Sequence, residues 1–363
     1  MSDTPTITLS LDNTAAINVP DSLTLMTRFV LQEQGDWFED ELPFIRTLLK
    51  PGMHAVDIGA NVGCYALSMA AAVGHTGKVW AFEPCQDTLK LLSSSKKTNN
   101  FEHLNLIQAG LSNKNGTATL YKSHNSELNS LHPKPDRQYA QEIITLLTLD
   151  EYFREHPSIN IDFLKLDAEG DECNILLGGQ KFFDNRSPLV MFELKHGGNV
   201  HHALIDDFKS LGYDSFVLNK TLGVLVPFNP NSIEGFQLNL FCAKPDRAQH
   251  LNSQDLLFFD QVNSDKPAKE TQYQHGIKEL EAGNDENASP LVKLQHWHNA
   301  LSIFEALSIE SPNDIALACA YVRSALNVGE RRKAVIKLQR LISLTKKPTP
   351  EHQDATIVAP IAR

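Results

Sequence analysis

Between residues 53 and 245 short apolar runs alternate with segments of helical periodicity. His54–Gly59 (HAVDIG), Lys78–Pro84 (KVWAFEP), Leu104–Gly110, Ile161–Asp167 (IDFLKLD) and Pro188–Lys195 have the length and content of buried strands. Asn61–Val73, Cys85–Lys97, Glu172–Phe183 and His201–Leu211 read as helices between them. Such alternation predicts an α/β fold with a mostly parallel sheet and helices on both faces. Asn115-Gly116 marks a hairpin turn into Ala118–Lys122. Ser123–Gln141 is polar and reads as a loop, either shaping a pocket through Tyr121, His124, His132 and Arg137 or lying passively on the surface. Ile143–Leu149 is a strand, followed by a helix over Glu151–His156 that Asp150 caps. The end looks antiparallel: Asp214–Leu218, Gly223–Pro227 and Gln237–Ala243.

The flanks differ from this core. Residues 1–50 carry two β-like runs, Thr6–Leu11 and Ala15–Val19, and a helix in which Phe38, Leu42, Ile45 and Leu48 recur on one face until Pro51-Gly52 stops it. Trp37, Phe38 and the acids Glu39–Glu41 either cover a pocket of the 51–245 domain or belong to a packing helix. After residue 246 strand signals vanish. Residues 246–290 read as a linker, broken by short helices over Ser264–Pro290, 291–345 as helical and 346–363 as a flexible tail. A weak repeat of 34 relates Ala300, Phe304, Leu307 and Pro312 to Ala334, Leu338 and Leu341, with Gly329-Glu330 at the turn. It predicts either a tetratricopeptide-like appendage or an ordinary helical hairpin.

Composition narrows the function. The chain has 33 basic and 44 acidic residues, a net charge of −11, which argues against general nucleic-acid binding. No run of 18 apolar residues predicts a membrane span, and the N-terminus does not read as a signal peptide. Five scattered cysteines without a C-x-x-C pair suggest neither a disulfide framework nor a zinc ribbon. A cytoplasmic protein is expected.

The strongest chemical signal is Asp57-Ile58-Gly59-Ala60-Asn61-Val62-Gly63, a strand-to-helix turn at the edge of a parallel sheet where ligands bind. Its glycines admit close backbone approach, and the helix start offers amide donors to an anion. A nicotinamide fingerprint, G-x-G-x-x-G, fails at Asn61 and Cys64. The observed D-x-G-x-x-x-G suits a zwitterionic amino-acid tail and points to S-adenosylmethionine, with Asp57 orienting the amine. Glu83, about 20 residues on, is placed to accept ribose hydroxyls. Pro84 and Gly110, at neighbouring strand ends, complete the expected cofactor set.

Taken in order, VDIGANVGCYAL, VWAFEP, TLD and IDFLKLDAEGDE resemble the FkbM family of S-adenosylmethionine-dependent methyltransferases over roughly residues 25–245. The resemblance implies a class I, Rossmann-like methyltransferase fold, seven-stranded with an antiparallel last strand, and methyl transfer to a hydroxyl of a saccharide or secondary metabolite. It implies that Asp57, Gly59, Ala60, Asn61 and Gly63 hold the methionine end and Glu83 the ribose. Asp167, Glu169 and Gly170 would floor the methyl group.

Deprotonating a hydroxyl calls for a base. Asp167, Glu169, Glu193 and His196 stand at or beyond strand ends on the cofactor side, and neighbouring carboxylates raise one another's pKa. The structural alternatives are that Asp167 bonds the cofactor or loop, that Glu169 caps the helix near Glu172, and that His196 is solvated. Asp167 and Glu193 could also hold a divalent ion, but no third ligand is evident. In a methyltransferase the C-terminal helices would serve dimerisation or partner docking; a nucleotide-dependent oxidoreductase, or an inert sheet domain whose helical tail binds a partner, remain the rivals.

Overall fold

The apolar runs assemble into one twisted sheet. Its eight strands, one more than the seven expected, are Val224–Pro227 and the seven labelled β1 (His54–Ile58), β2 (Lys78–Phe82), β3 (Leu104–Ile107), β4 (Phe163–Leu166), β5 (Leu189–Glu193), β6 (Asp214–Asn219) and β7 (Asn239–Ala243). The labelled strands lie in the order β6-β7-β5-β4-β1-β2-β3. The strands from β1 to β5 pair in parallel, and β7 runs antiparallel to both β5 and β6. This is the expected class I methyltransferase arrangement. The computed structural model describes residues 5–123, 125–133, 138–196, 199–230, 238–258 and 269–345. Two compact units emerge: Met1–Leu218 with Leu238–His250, and Asn219–Gln237 with Leu251–Arg363.

In the first unit, helices α1 (Met26–Gln34) and α2 (Glu41–Leu48) precede the sheet. Helices α3 (Cys64–Val73), α4 (Gln86–Asn99), α5 (Leu149–Arg154), α6 (Glu172–Leu177), α7 (Gln180–Arg186) and α8 (His202–Ser210) connect its strands. Ala55, Val56, Val79, Phe163, Leu164 and Val190 are fully buried, because a parallel sheet is covered on both faces. That is why these strands read as continuous apolar runs. The predicted N-terminal runs pair as an antiparallel hairpin, Thr6–Leu11 with Ala15–Pro20. The hairpin docks on α4: Asn99 Nδ2 donates to Ala16 O at 2.6 Å, and Asn18 N donates to Ser95 Oγ at 2.8 Å.

Several local expectations change. The helix read over Glu172–Phe183 breaks into α6 and α7 at Gly178-Gly179, where a Cβ on Gly178 would stand 2.2 Å from Ser112 O. Asp150 does not cap α5. Thr148 Oγ1 does so, accepting the Glu151 amide at 3.2 Å, while Asp150 reaches the start of α7 and accepts the Phe182 amide at 2.8 Å. The strand after Asn115-Gly116, Gly116–Lys122, pairs with Ala140–Leu147 instead of folding back on β3.

The chain continues through α9 (Pro245–Ser253). The second unit holds α10 (Lys269–Ala282), α11 (Pro290–Glu310), α12 (Ile315–Asn327) and α13 (Arg331–Thr345). The segment read as a linker therefore contains α10. Its Tyr273, Ile277 and Leu280 pack at helical spacing into the core around Ala300, Phe304 and Leu317, and Gly276 lets α10 approach Phe304 closely. Of the repeat positions, Ala300, Phe304, Leu307, Ala334 and Leu341 are buried, but Leu338 is 45% exposed. The predicted tail, 346–363, lies outside the described residues. No helix among the described residues is long and apolar enough to cross a membrane.

Candidate functional site

Strand order reverses beside β1, and the crevice expected at that point is a cavity of about 370 Å³ at the C-terminal edge of the sheet. One wall is the loop from β1 to α3. Gly59 has φ 77, and a Cβ there would fall 1.8 Å from the Asp167 carbonyl oxygen, so the loop meets the end of β4 backbone to backbone. Asn61 and Gly63 are also left-handed, at φ 50 and 103. The loop consumes its own amides. Gly59 and Ala60 both donate to Phe82 O at 3.0 Å, Gly63 donates to Ala60 O at 2.9 Å, and Asn61 donates to Glu83 Oε2 at 2.9 Å. Donors for an anion are thereby confined to the first turn of α3, which no side chain caps.

Glu83 closes this wall. Its second oxygen accepts the Cys85 amide at 2.9 Å, and burial pushes its pKa up to about 7 against the pull of those two amides. Asp57 lies beneath the loop, fully buried, with neither carboxylate oxygen in a hydrogen bond of ordinary geometry. Burial lifts it to about 6; Lys165 and the nearby Ala66 amide oppose the rise, and Asp167 adds to it. Pro84 and Gly110 line the same half of the cavity.

The other wall is built at the ends of β4, β5 and β7. Lys165, buried in β4, donates to Asp167 Oδ2 at 2.8 Å and sits 4.9 Å from the centre of the Tyr65 ring. Burial pulls its ammonium down, but Asp167 and Asp57 together hold it above the ordinary lysine value. The turn after β4 is strained at Glu169, φ 49, and continues through Gly170, φ 107. Glu172 braces it, accepting the Ala168 amide at 2.9 Å and the Gly170 amide at 3.1 Å. Glu193 ends β5 and lines the cavity. Burial, then Asp167, Glu169 and Glu172, push its carboxyl up to about 8.

Two segments outside the sheet complete the enclosure. Trp37, Phe38 and Glu39 line the cavity. Glu39 accepts from the Tyr65 hydroxyl and from Asn239 Nδ2 at 3.2 Å, and Asn239 stands opposite Glu193 in the β5–β7 register. Residues 126–131 also line it, so this part of the polar loop is not a passive surface strip. Ser126 Oγ donates to Asn61 Oδ1 at 2.9 Å, Ser130 Oγ donates to Glu169 O at 2.8 Å, and Thr27 donates to Glu127. His132 reaches Asp171 at 3.5 Å; His124 and Arg137 lie outside the described residues.

The structure thus brings Asp57, Gly59, Ala60, Asn61, Gly63, Glu83, Pro84, Gly110, Asp167, Glu169 and Glu193 to one cavity. His196 falls in a two-residue strand, Lys195–His196, paired with Asn199–Val200, and its side chain lies outside the described residues. Sequence reading missed Lys165, Tyr65, Glu127 and Asn239. Only Lys165 carried a signal: a lysine between Leu164 and Leu166 in a buried strand requires a carboxylate partner. Among the described residues, no group of three His, Cys, Asp or Glu side chains could hold a metal ion.

A sheet of this order with a crevice beside β1 has the class I methyltransferase-like fold that the sequence predicts. Residues 57–215 match the methyltransferase FkbM domain. No curated protein matches the chain. Among solved structures, it is similar to methyltransferase FkbM from Methylobacillus flagellatus KT, with 17% identity, 60% of this chain and 47% of that one covered, and a TM-score of 0.36. The chain thus spans about half the length of that protein. It is also similar to the O-methyltransferase of Thermotoga maritima, with 13% identity, coverage of 63% and 73%, and a TM-score of 0.33. A further match is Aeropyrum pernix fibrillarin with bound S-adenosylmethionine, with 14% identity, coverage of 53% and 67%, and a TM-score of 0.32.

Proposed function

We propose that the protein is an S-adenosylmethionine-dependent O-methyltransferase acting on a hydroxyl of a saccharide or secondary metabolite. The observation that carries this reading is Asp57, a fully buried carboxylate without an ordinary hydrogen bond, beneath a cavity-lining loop whose Gly59 and Gly63 let it pack closely against the Asp167 carbonyl and Leu92. A buried, unsatisfied acid is costly unless a ligand compensates it, and a cationic amine is the fitting partner. When bound, S-adenosylmethionine supplies the electrophilic methyl group.

The chain's own part is to orient, desolvate and take a proton. Asp57 and the first turn of α3 orient the amino-acid end, and Glu83 offers its remaining lone pairs to the ribose. The loop over residues 126–131 and the Trp37–Phe38 segment exclude water. Glu193 takes the proton of the attacking hydroxyl: its pKa near 8 matches a base working close to neutral pH. Lys165 donates to Asp167 at 2.8 Å, which gives Asp167 a positioning role.

Calorimetry with S-adenosylmethionine and S-adenosylhomocysteine tests the reading. Micromolar binding of both is expected, and no heat with either ends it. For the helical unit we propose the tetratricopeptide-like docking role suggested by its repeat, supported by the exposed apolar row Val335, Leu338 and Ile342 on α13. Light scattering checks whether a second copy is the partner.

A further inference from the structure

The charge of the crevice says what the acceptor must carry, an inference that rests on the methyltransferase reading above. Among the described residues, eight carboxylates line the cavity against one cation, Lys165. Two of the eight, Asp57 and Glu83, belong to the β1–β2 half that the cofactor reading fills. The other six stand at or just beyond the ends of β4 and β5, or on the two segments that complete the enclosure. Lys165 neutralises one of these six: it is buried and donates to Asp167 at 2.8 Å. Glu39 and Glu127 meet neutral donors, Glu39 from the Tyr65 hydroxyl and Asn239, and Glu127 from Thr27. Such bonds satisfy lone pairs and leave the charge standing. The cofactor itself, with one ammonium, one sulfonium and one carboxylate, brings a single net positive charge, too little to offset the surplus.

Asp171 shows independently that a donor is missing. It is 4% exposed and lines the cavity. It stands just before α6 without capping it. Its Oδ1 accepts from Asn174 Nδ2 at 2.7 Å and lies 3.5 Å from His132 Nε2, whereas its Oδ2 has no hydrogen-bond partner. A buried carboxylate oxygen without a donor is costly. Asp57 shares this feature, but the one amine of the cofactor cannot serve both. Glu193 points the same way, because Asp167, Glu169 and Glu172 all press on it and Lys165 offsets them least. Trp37 and Phe38 line the same cavity with ring centroids 4.8 Å apart, and ring faces also attract cations. An anion would meet its own sign with Lys165 already engaged. A protonated amine has no lone pair with which to attack a methyl group. Held against carboxylates, it anchors the acceptor and leaves the hydroxyl to react.

We propose that the acceptor is a hydroxylated cation, anchored through a protonated amine at Asp171 and the neighbouring acids of the β4–β5 half, with its hydroxyl toward Glu193. The test uses the full chain saturated with S-adenosylhomocysteine, so that the cofactor half is filled. Calorimetric titration and saturation-transfer NMR are run with two matched series. One is trans-4-aminocyclohexanol, cyclohexane-1,4-diol and trans-4-hydroxycyclohexanecarboxylate; the other is tyramine, 4-ethylphenol and 4-hydroxyphenylpropionate. In at least one series the amine is expected to bind about fivefold or more tighter than the neutral member, with the acid weakest. Asp171→Asn, shown folded by its melting temperature, cuts that advantage by half or more. Should this variant fail to fold, Glu169→Gln is read in its place, with the same expected loss. An advantage smaller than fivefold in both series overturns the inference, as does an absence of binding by either amine, tighter binding of an acid, or an advantage that the folded variant keeps. Failure of S-adenosylhomocysteine itself to bind is a separate result: it overturns the methyltransferase reading, and this inference falls with it.

Discussion

The two halves of the crevice use the same residue type in opposite ways. Glu83 and Glu193 are both carboxylates at strand ends, lifted by burial to about 7 and about 8. Glu83 is enclosed by backbone: the Asn61 and Cys85 amides each donate to it at 2.9 Å. It fixes the shape of the loop before any ligand arrives. Glu193 is raised by other carboxylates, after burial, and its nearest structural relation is a cross-strand neighbour, Asn239. A carboxylate held by backbone amides is a construction element, and one pressed by like charges is poised for proton transfer.

The contrast breaks first, and most severely, at Gly59. Gly59→Ala forces a Cβ to 1.8 Å from the Asp167 carbonyl at a left-handed φ, so the two halves must separate. A loss of about 3 kcal/mol or more is expected, read as a melting temperature lowered by about 10 °C, with cofactor binding abolished. Glu193→Gln should separate chemistry from construction. Turnover falls on the order of 10²–10⁴-fold, cofactor affinity by calorimetry stays within about twofold, and the rise of kcat/KM toward a bend near pH 8 disappears. Unchanged turnover would remove Glu193 from the mechanism.

Glu83→Ala should do the reverse. It strands two buried amides at a cost of about 1–3 kcal/mol and weakens S-adenosylmethionine by about tenfold. Unaltered affinity would rule out the ribose role.

The smallest effect is on stability against pH. Asp57, Glu83 and Glu193 all have folded pKa values above their ordinary ones. Their folded forms keep protons that the unfolded chain has released, so ligand-free stability is greatest below about pH 4.5 as far as these groups are concerned and falls as pH rises toward 8. Denaturant midpoints at pH 5, 6.5 and 8 should show this decline. Glu193→Gln should flatten it by about 1 kcal/mol, after allowance for solvent screening.

Much of the sheet was readable because its strands are buried on both faces: HAVDI, KVWAF and LVMFE need no alternation to announce themselves. The glycine loop was readable for a related reason, since left-handed dihedrals and a backbone contact restrict the residue choice. Illegible features were those decided by distant partners. Nothing local tells that Asp150 caps α7 across 32 residues, or that Glu39 meets Asn239 two hundred residues away. The α10 helix was obscured differently. Tyr273, Ile277 and Leu280 are few among polar neighbours, and their helical spacing makes sense only with Phe304 beneath them.

The placement of β7 bears on how the protein can be cut. Because this strand, Asn239–Ala243, is inserted between β5 and β6, a fragment trimmed to the family-matched span would leave β5 with a bare hydrogen-bonding edge. It would also lack Asn239 and the aromatic pair before α2. Such a truncate invites edge-to-edge aggregation and presents an incomplete pocket, so expression trials should start before the first hairpin and run beyond residue 243.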